Sequence, residues 1–275
     1  MEVPGTRACA MPIAAVASPA MTPPSRFRLD GRTALVTGAS RGIGAAVAQG
    51  LAAAGADLVL TARHDGDLRA LAARLREEHG VRATTLTADL AAPDAAADLA
   101  GRAWEFGRVD ILVNNAGISI PARATDVTGS DYDAVMAVNL RTPSLLAADL
   151  GGRMAQAGGG RIVNIASVAG LRALTEHYTY CMSKAALIMA AKVLALELGP
   201  RGVRVNSVCP TVVLTDMGTQ VWGDPVKSAP MLGRIPGGHF AQPEDVADAV
   251  VYLASPAADM LNGTQIVLDG GFSAN

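Results

Sequence analysis

The stretch "HYTYCMSK", residues 177–184, places two tyrosines two positions apart with a lysine just beyond them. On a helix, residues four apart stack on one face, so Tyr180 and Lys184 share a face while Tyr178, six from the lysine, does not. A phenol beside an ammonium group is a proton-transfer pair. Free tyrosine titrates at about 10, too high for a base near neutrality, and a nearby positive charge stabilises the phenolate and lowers that value. The run Ala185–Lys192 that follows is rich in strong helix formers, so the helical spacing is the expected one. Such a pair also arises by chance, and its meaning depends on what the rest of the chain brings to it.

A second chemically suggestive stretch is "TGASRGIG", Thr37–Gly44. It lies between a β-branched run and an Ala-rich segment, the strand-to-helix context in which a glycine loop binds phosphate. Gly38, Gly42 and Gly44, with Ser40 and Ile43 between them, allow a tight turn and let a pyrophosphate approach backbone N–H groups at a helix N-terminus. The spacing G-x3-G-x-G differs from the G-x-G-x-x-G form. The next strand, "DLVLTARH", ends where an acidic residue would accept from both ribose hydroxyls of NAD. Ala62 stands there instead, followed by Arg63, and Arg41 adds a second guanidinium inside the glycine loop. Guanidinium groups suit a 2′-phosphate, so NADP(H) is the expected cofactor.

These residues must be held by a larger frame. The chain has 275 residues, half of them hydrophobic and 17% charged, enough apolar material for one large core. A net charge of −2 without a basic run gives no footprint for nucleic acid. No apolar stretch reaches the roughly 20 residues of a membrane span. Cys9, Cys181 and Cys209 lack metal-ligand spacing, and the four histidines are scattered, so no metal site is expected and a reducing, cytoplasmic setting is. Residues 1–25 are rich in alanine and proline and read as a disordered tail.

From residue 26 onward, apolar β-branched runs alternate with longer helical segments. Strands are expected at Thr33–Thr37, Asp57–Thr61, Ala83–Thr87, Ile111–Asn114, Gly160–Ile165, Arg204–Cys209 and Gln265–Leu268. Helices are expected at Ala45–Ala54, Asp65–His79 and Tyr132–Arg153, among others. Strands apolar throughout belong in a parallel sheet covered on both faces. The pattern therefore predicts an α/β fold: a single doubly wound, Rossmann-type domain over 26–275, with a seven-stranded parallel sheet and helices on both faces.

Further motifs follow in order: "NNAG" at 114–117, Asn139, Ser167, Tyr180-x3-Lys184 and "CPTVVLTDM" from Cys209. Over about residues 27–275 the set resembles the short-chain dehydrogenases/reductases. The resemblance implies that Tyr180 is the general acid/base, that Lys184 lowers its pKa and holds the nicotinamide ribose, that Ser167 bonds the substrate oxygen, and that Asn139 holds a relay water. It assigns Asp89 and Leu90 to the adenine, Asn115, Ala116 and Gly117 to the adenosine ribose and nearby backbone, and Pro210, Val213 and Thr215 to the nicotinamide. It leaves Tyr178 as a structural tyrosine and implies a homotetramer. Thr211 stands where the family pattern has glycine, and threonine is excluded from the positive φ angles open to glycine, so a different loop backbone is expected there.

Within the family, "CPTVVLTDMGTQVWGDP" and "HYTYC" resemble the dicarbonyl/L-xylulose reductase and carbonyl reductase branch. That likeness makes His177 and Trp222 substrate contacts, a hydrogen-bonding imidazole and a flat apolar face suited to a sugar. Val168, after the serine, replaces a polar residue of the sugar-active members, which favours less hydroxylated carbonyls. The Gly- and Pro-rich stretch 216–236 is expected to form a lid over the substrate. The reading is a reversible NADP(H)-dependent reductase of a small carbonyl. The alternatives are an NAD-dependent polyol dehydrogenase and a non-catalytic nucleotide-binding regulator.

Overall fold

The computed structural model describes residues 23–215, 218–219 and 222–274. Seven parallel strands, β1 (Thr33–Thr37), β2 (Asp57–Ala62), β3 (Ala83–Thr87), β4 (Ile111–Asn114), β5 (Gly160–Ile165), β6 (Val203–Pro210) and β7 (Gln265–Leu268), form one sheet in the order β3-β2-β1-β4-β5-β6-β7. Eight helices among the described residues accompany them: α1 (Gly42–Ala53), α2 (Gly66–His79), α3 (Ala95–Phe106), α4 (Gly129–Met136), α5 (Thr142–Gln156), α6 (Tyr178–Leu198), α7 (Pro225–Leu232) and α8 (Pro243–Ala254). The strand expectations hold to within a residue at each end. The tail reading ends early, because Pro23–Phe27 already forms a 3-10 turn; residues 1–22 lie outside the described residues.

Alternation along each strand explains the two covered faces. In β1, Ala34 and Val36 join a cluster with Val47 and Leu51 of α1, Leu68 and Leu75 of α2, and Val246 and Val250 of α8. Leu35, between them, faces Leu99 of α3, Leu146 and Leu150 of α5, and Ala191 and Ala195 of α6. With both faces buried, the interiors of β1, β2 and β4 are largely apolar, while β5 and β6 also bury polar residues, Asn164, Asn206 and Ser207. The strand order reverses between β1 and β4, which opens a crevice at the carboxyl ends of the strands, the usual ligand position in such sheets.

One expected helix is not a single helix. The span Tyr132–Arg153 divides into α4, a π-helical turn over Ala137–Arg141, and α5. Pro143 has no N–H, so it is unable to donate to the carbonyl of Asn139 four residues back, and the ladder widens at that point.

At the outer edge, β3 points its odd residues away from the sheet, since Leu58 N bonds Arg82 O and Ala88 N bonds Ala62 O on the inner side. Two of these outward carbonyls have partners: Arg76 Nη1 of α2 donates to Ala83 O at 2.9 Å, and Arg102 Nη1 of α3 donates to Thr87 O at 3.2 Å.

Candidate active site

The crevice collects the residues singled out in the sequence. Lys184, 4% exposed, sits on the inner face of α6 and donates from Nζ to Ile165 O at the end of β5, 2.8 Å away. Its Nζ lies 5.6 Å from the Tyr180 ring centroid, one helical turn earlier, as the spacing requires. A Cβ placed on Gly117 would meet Asn139 Oδ1 at 3.4 Å and Lys184 Nζ at 3.5 Å, so glycine leaves the space these groups share. Tyr178 points outward and is exposed.

Asn139 is fully buried on the π-helical turn. Its Oδ1 accepts from Ile118 N and its Nδ2 donates to Ile118 O, both at 2.8 Å, with Ser183 Oγ 3.2 Å from the same Nδ2. Ser183 Oγ in turn donates to Tyr180 O at 2.7 Å. The amide thus fastens the loop after β4 to α6. Ser183 was not singled out from the sequence, because a serine one residue before a lysine carries no signal until the helix is folded.

Burial governs the protonation of this cluster. It pushes Lys184 down to about 8, since an ammonium loses hydration there, and the same loss of hydration pushes Cys209 up to about 11, because its charged form is the thiolate. Burial also raises Tyr180 above its ordinary value, with a hydrogen bond from Ser167 pulling the other way. In the chain by itself desolvation of the phenolate is the largest influence on Tyr180, so its value lies above the ordinary one and not below it as expected, and the phenol is held in its proton-donating form. Ser167 follows β5 with an extended backbone, and its Oγ accepts from Ala169 N at 3.1 Å.

The glycine loop has the shape of a cradle. Gly38 and Gly42 take φ of 65° and 56°, and a Cβ on Gly44 would fall 2.1 Å from Gly38 O. Asn115 Nδ2 donates to Thr37 O and Gly38 O at 2.9 and 3.1 Å, while Thr37 Oγ1 accepts from the N–H groups of Asn115 and Ala116. The Asn115 side chain is therefore committed to bracing the loop, a task in which Thr37 joins it. The first turn of α1 holds no acidic residue and no side-chain cap, which leaves its N–H groups to an anion. Arg41 and Arg63 are exposed, and neither forms an ion pair with a described residue. Backbone cradle, helix N-terminus and two unpaired guanidinium groups fit a phosphorylated dinucleotide.

On the far side, Asp89 is exposed with Oδ1 accepting from Ala91 N, and Leu90 is buried beside it. Pro210 closes β6. Thr211 keeps an ordinary negative φ and donates its N–H to Leu268 O at 3.0 Å, so the strand pairing simply continues where a glycine would have turned. Val213 bridges Ala241, and Thr215 lies over the glycine loop, its Cγ2 3.0 Å from where a Gly42 Cβ would stand.

The residues expected on the substrate side separate into two groups. His177 caps α6, its ring 6.1 Å from that of Tyr180 in an edge-on arrangement. Val168 and Trp222 belong to an apolar cluster with Ile235, Phe240 and Phe272, Trp222 lying 5.8 Å from Phe240. Part of the expected lid folds as α7; residues 216–217 and 220–221 lie outside the described residues. No helix among the described residues is long and apolar enough to cross a membrane.

Comparison with known proteins gives concordant results. Residues 38–273 match the family model described as enoyl-(acyl carrier protein) reductase. The chain is 47% identical to D-threitol dehydrogenase of Mycolicibacterium smegmatis, over 90% of this chain and 95% of that one. It is 44% identical to L-xylulose reductase of Bos taurus, over 90% and 99% respectively. Among solved structures, gluconate 5-dehydrogenase of Burkholderia cenocepacia, crystallised with NADP and tartrate, superposes with a TM-score of 0.87 at 34% identity, covering 92% of this chain and 99% of that one.

Proposed function

The chain belongs to the short-chain dehydrogenase/reductase family, and from that premise we propose that it reduces a small ketose or dicarbonyl with NADPH and oxidises the corresponding polyol in reverse. The observation that carries this reading is the buried Lys184, held by Ile165 O without a carboxylate partner among the described residues and set beneath Tyr180. A structural lysine would be exposed or paired.

When bound, the nicotinamide nucleotide supplies the hydride. The chain's own residues handle the oxygen and its proton. Ser167 Oγ hydrogen-bonds the substrate oxygen, and the Tyr180 phenol, kept protonated by burial, donates to it as negative charge develops. Lys184 then faces the phenolate and stabilises it, and Asn139 keeps the floor of the site in register through Ile118 and Ser183. Gly38, Ser40, Gly42, Ile43 and Gly44 would cradle the pyrophosphate, Arg41 and Arg63 the 2′-phosphate, and Asp89, Leu90, Ala116 and Gly117 the adenosine end. Pro210, Val213 and Thr215 would hold the nicotinamide, and His177, Val168 and Trp222 the substrate. The relatives named above support the polyol and ketose class, since both act on small polyhydroxylated carbons by name.

We infer a homotetramer as well, supported by an apolar stripe on the outer face of α6, where Met189 is 57% and Leu196 79% exposed. Residence in the cytoplasm follows from the same reading, supported by the unpaired Cys181 and Cys209.

The test follows nucleotide absorbance with diacetyl, L-xylulose, erythrulose and an aromatic ketone, using NADPH and NADH in parallel. Turnover is expected with NADPH, and Tyr180→Phe lowers kcat about a thousandfold. Arg63→Ala raises KM for NADPH about tenfold while leaving NADH unchanged. Preference for NADH in the parent would replace this reading with the NAD-dependent polyol dehydrogenase.

A further inference from the structure

Glu176 is the one non-glycine residue with positive φ among the described residues, at 63°. An L-residue with a long side chain avoids this region unless its surroundings impose it, and such outliers collect at functional sites. The side chain does not explain it. The Glu176 carboxylate lies 3.7 Å from Arg123, both are well exposed, and an exposed pair of that kind contributes little.

The backbone does. His177 N donates to Leu174 O at 3.4 Å, closing a four-residue turn whose only positive φ is at its third position, the type II pattern that favours glycine or asparagine there. In a type I turn the central peptide, here Thr175–Glu176, is reversed. That peptide's carbonyl, Thr175 O, is the partner of His177 Nδ1 at 2.8 Å. A carbonyl only accepts, so Nδ1 carries the hydrogen and Nε2 of the neutral ring is left as an acceptor. Two further contacts hold the turn: Glu176 O accepts from Ala122 N at 2.8 Å, and His177 bridges Ala122. The conformation of one residue therefore fixes both the tautomer of His177 and its edge-on position against Tyr180.

We propose that Glu176 is a positioning residue: its left-handed backbone, not its carboxylate, sets His177 to accept a hydrogen bond from a substrate hydroxyl. The proposal rests on the reading of His177 as a substrate contact, and it makes that contact matter for hydroxylated ketoses and not for diacetyl, which has no hydroxyl group to offer.

The experiment uses the full chain with Glu176→Asn, Glu176→Gly, Glu176→Ile and His177→Ala. Steady-state rates with erythrulose and with diacetyl are measured alongside NADPH affinity by fluorescence and the His177 tautomer by nitrogen-15 NMR. Asn and Gly, which tolerate the left-handed region, keep erythrulose kcat/KM within about twofold and keep the Nδ1–H tautomer. The β-branched Ile lowers erythrulose kcat/KM about tenfold, mainly through KM, loses the tautomer, and leaves diacetyl turnover and NADPH affinity in place. Combined with His177→Ala it adds no further loss. Equal losses in the Asn, Gly and Ile variants would assign the effect to the carboxylate and overturn the proposal, as would an Ile variant impaired equally toward diacetyl. An unchanged tautomer in the Ile variant overturns it independently of turnover. His177→Ala with full activity toward erythrulose would instead overturn the substrate-contact reading, with the NMR result still reporting on the turn.

Discussion

Lys184 carries its charge into a place where no described carboxylate meets it, and this has a consequence for stability that differs from its consequence for catalysis. With a folded pKa of about 8 against 10.5 for a free lysine, it is protonated in both states below about pH 8. Above that value the folded chain gives up a proton that the unfolded chain keeps, so stability rises with pH through this window, by about 1 kcal/mol per unit. Cys209 acts in the opposite sense: raised from 9.0 to about 11, it keeps its proton when folded, and its contribution falls as pH rises through that range. The two are separated by comparison with Lys184→Met. Between about pH 7 and 9 the urea midpoint of the parent should gain on that of the variant, and parallel profiles would mean that Lys184 is not titrating there. Tyr180 and Lys184 were legible in the sequence because their spacing is local to one helix. Ser183, Thr37 and the bend at Glu176 were not, since each acquires its task from a neighbour 44 to 78 residues away or from a backbone angle.

At the level of elements, the π-helical turn between α4 and α5 turns the Asn139 amide toward Ile118. Periodicity shows a helix over this whole region and misses the widening, because an insertion of one residue per turn barely disturbs an apolar pattern twenty residues long. Pro143 was visible, yet its effect falls four residues upstream, on a carbonyl rather than a side chain. Pro143→Ala restores the missing N–H and lets the ladder close as an ordinary α-helix. Asn139 then rotates away from Ile118, and kcat should fall about tenfold with little change in thermal midpoint. Unchanged kcat would show that the proline, rather than the widened turn it accompanies, is dispensable. The seven strands were legible for a complementary reason: both faces of the sheet are covered, so most strands are dominated by apolar and β-branched residues, most plainly β1, β2 and β4.

Across the whole molecule, the outer face of α6 is where the proposed tetramer interface lies. Met189, Val193 and Leu196 recur at helical spacing and remain exposed, with Leu145 of the adjoining α5 also exposed. Replacing Leu196 by Glu puts a charge in the middle of that stripe, and light scattering should report a fall from tetramer to smaller species. A tetramer that survives the change would move the proposed interface elsewhere on the surface. The catalytic crevice opens at the strand carboxyl ends, so its geometry is drawn from elements that such a change leaves in place.

Strand β3 settles a different matter. A sheet edge is an invitation to any loose chain, because its outward carbonyls and N–H groups await a neighbour. Here Arg76 reaches over from one layer of helices and Arg102 from the other, and they occupy the carbonyls at the two ends of the strand. Between these bulky cations lie only three residues of strand, of which Thr85 turns its backbone groups outward, too short a stretch to seed a ribbon. Crowded solutions, heating and long storage are the conditions under which open edges knit proteins into insoluble matter, and on this side the molecule is already hemmed.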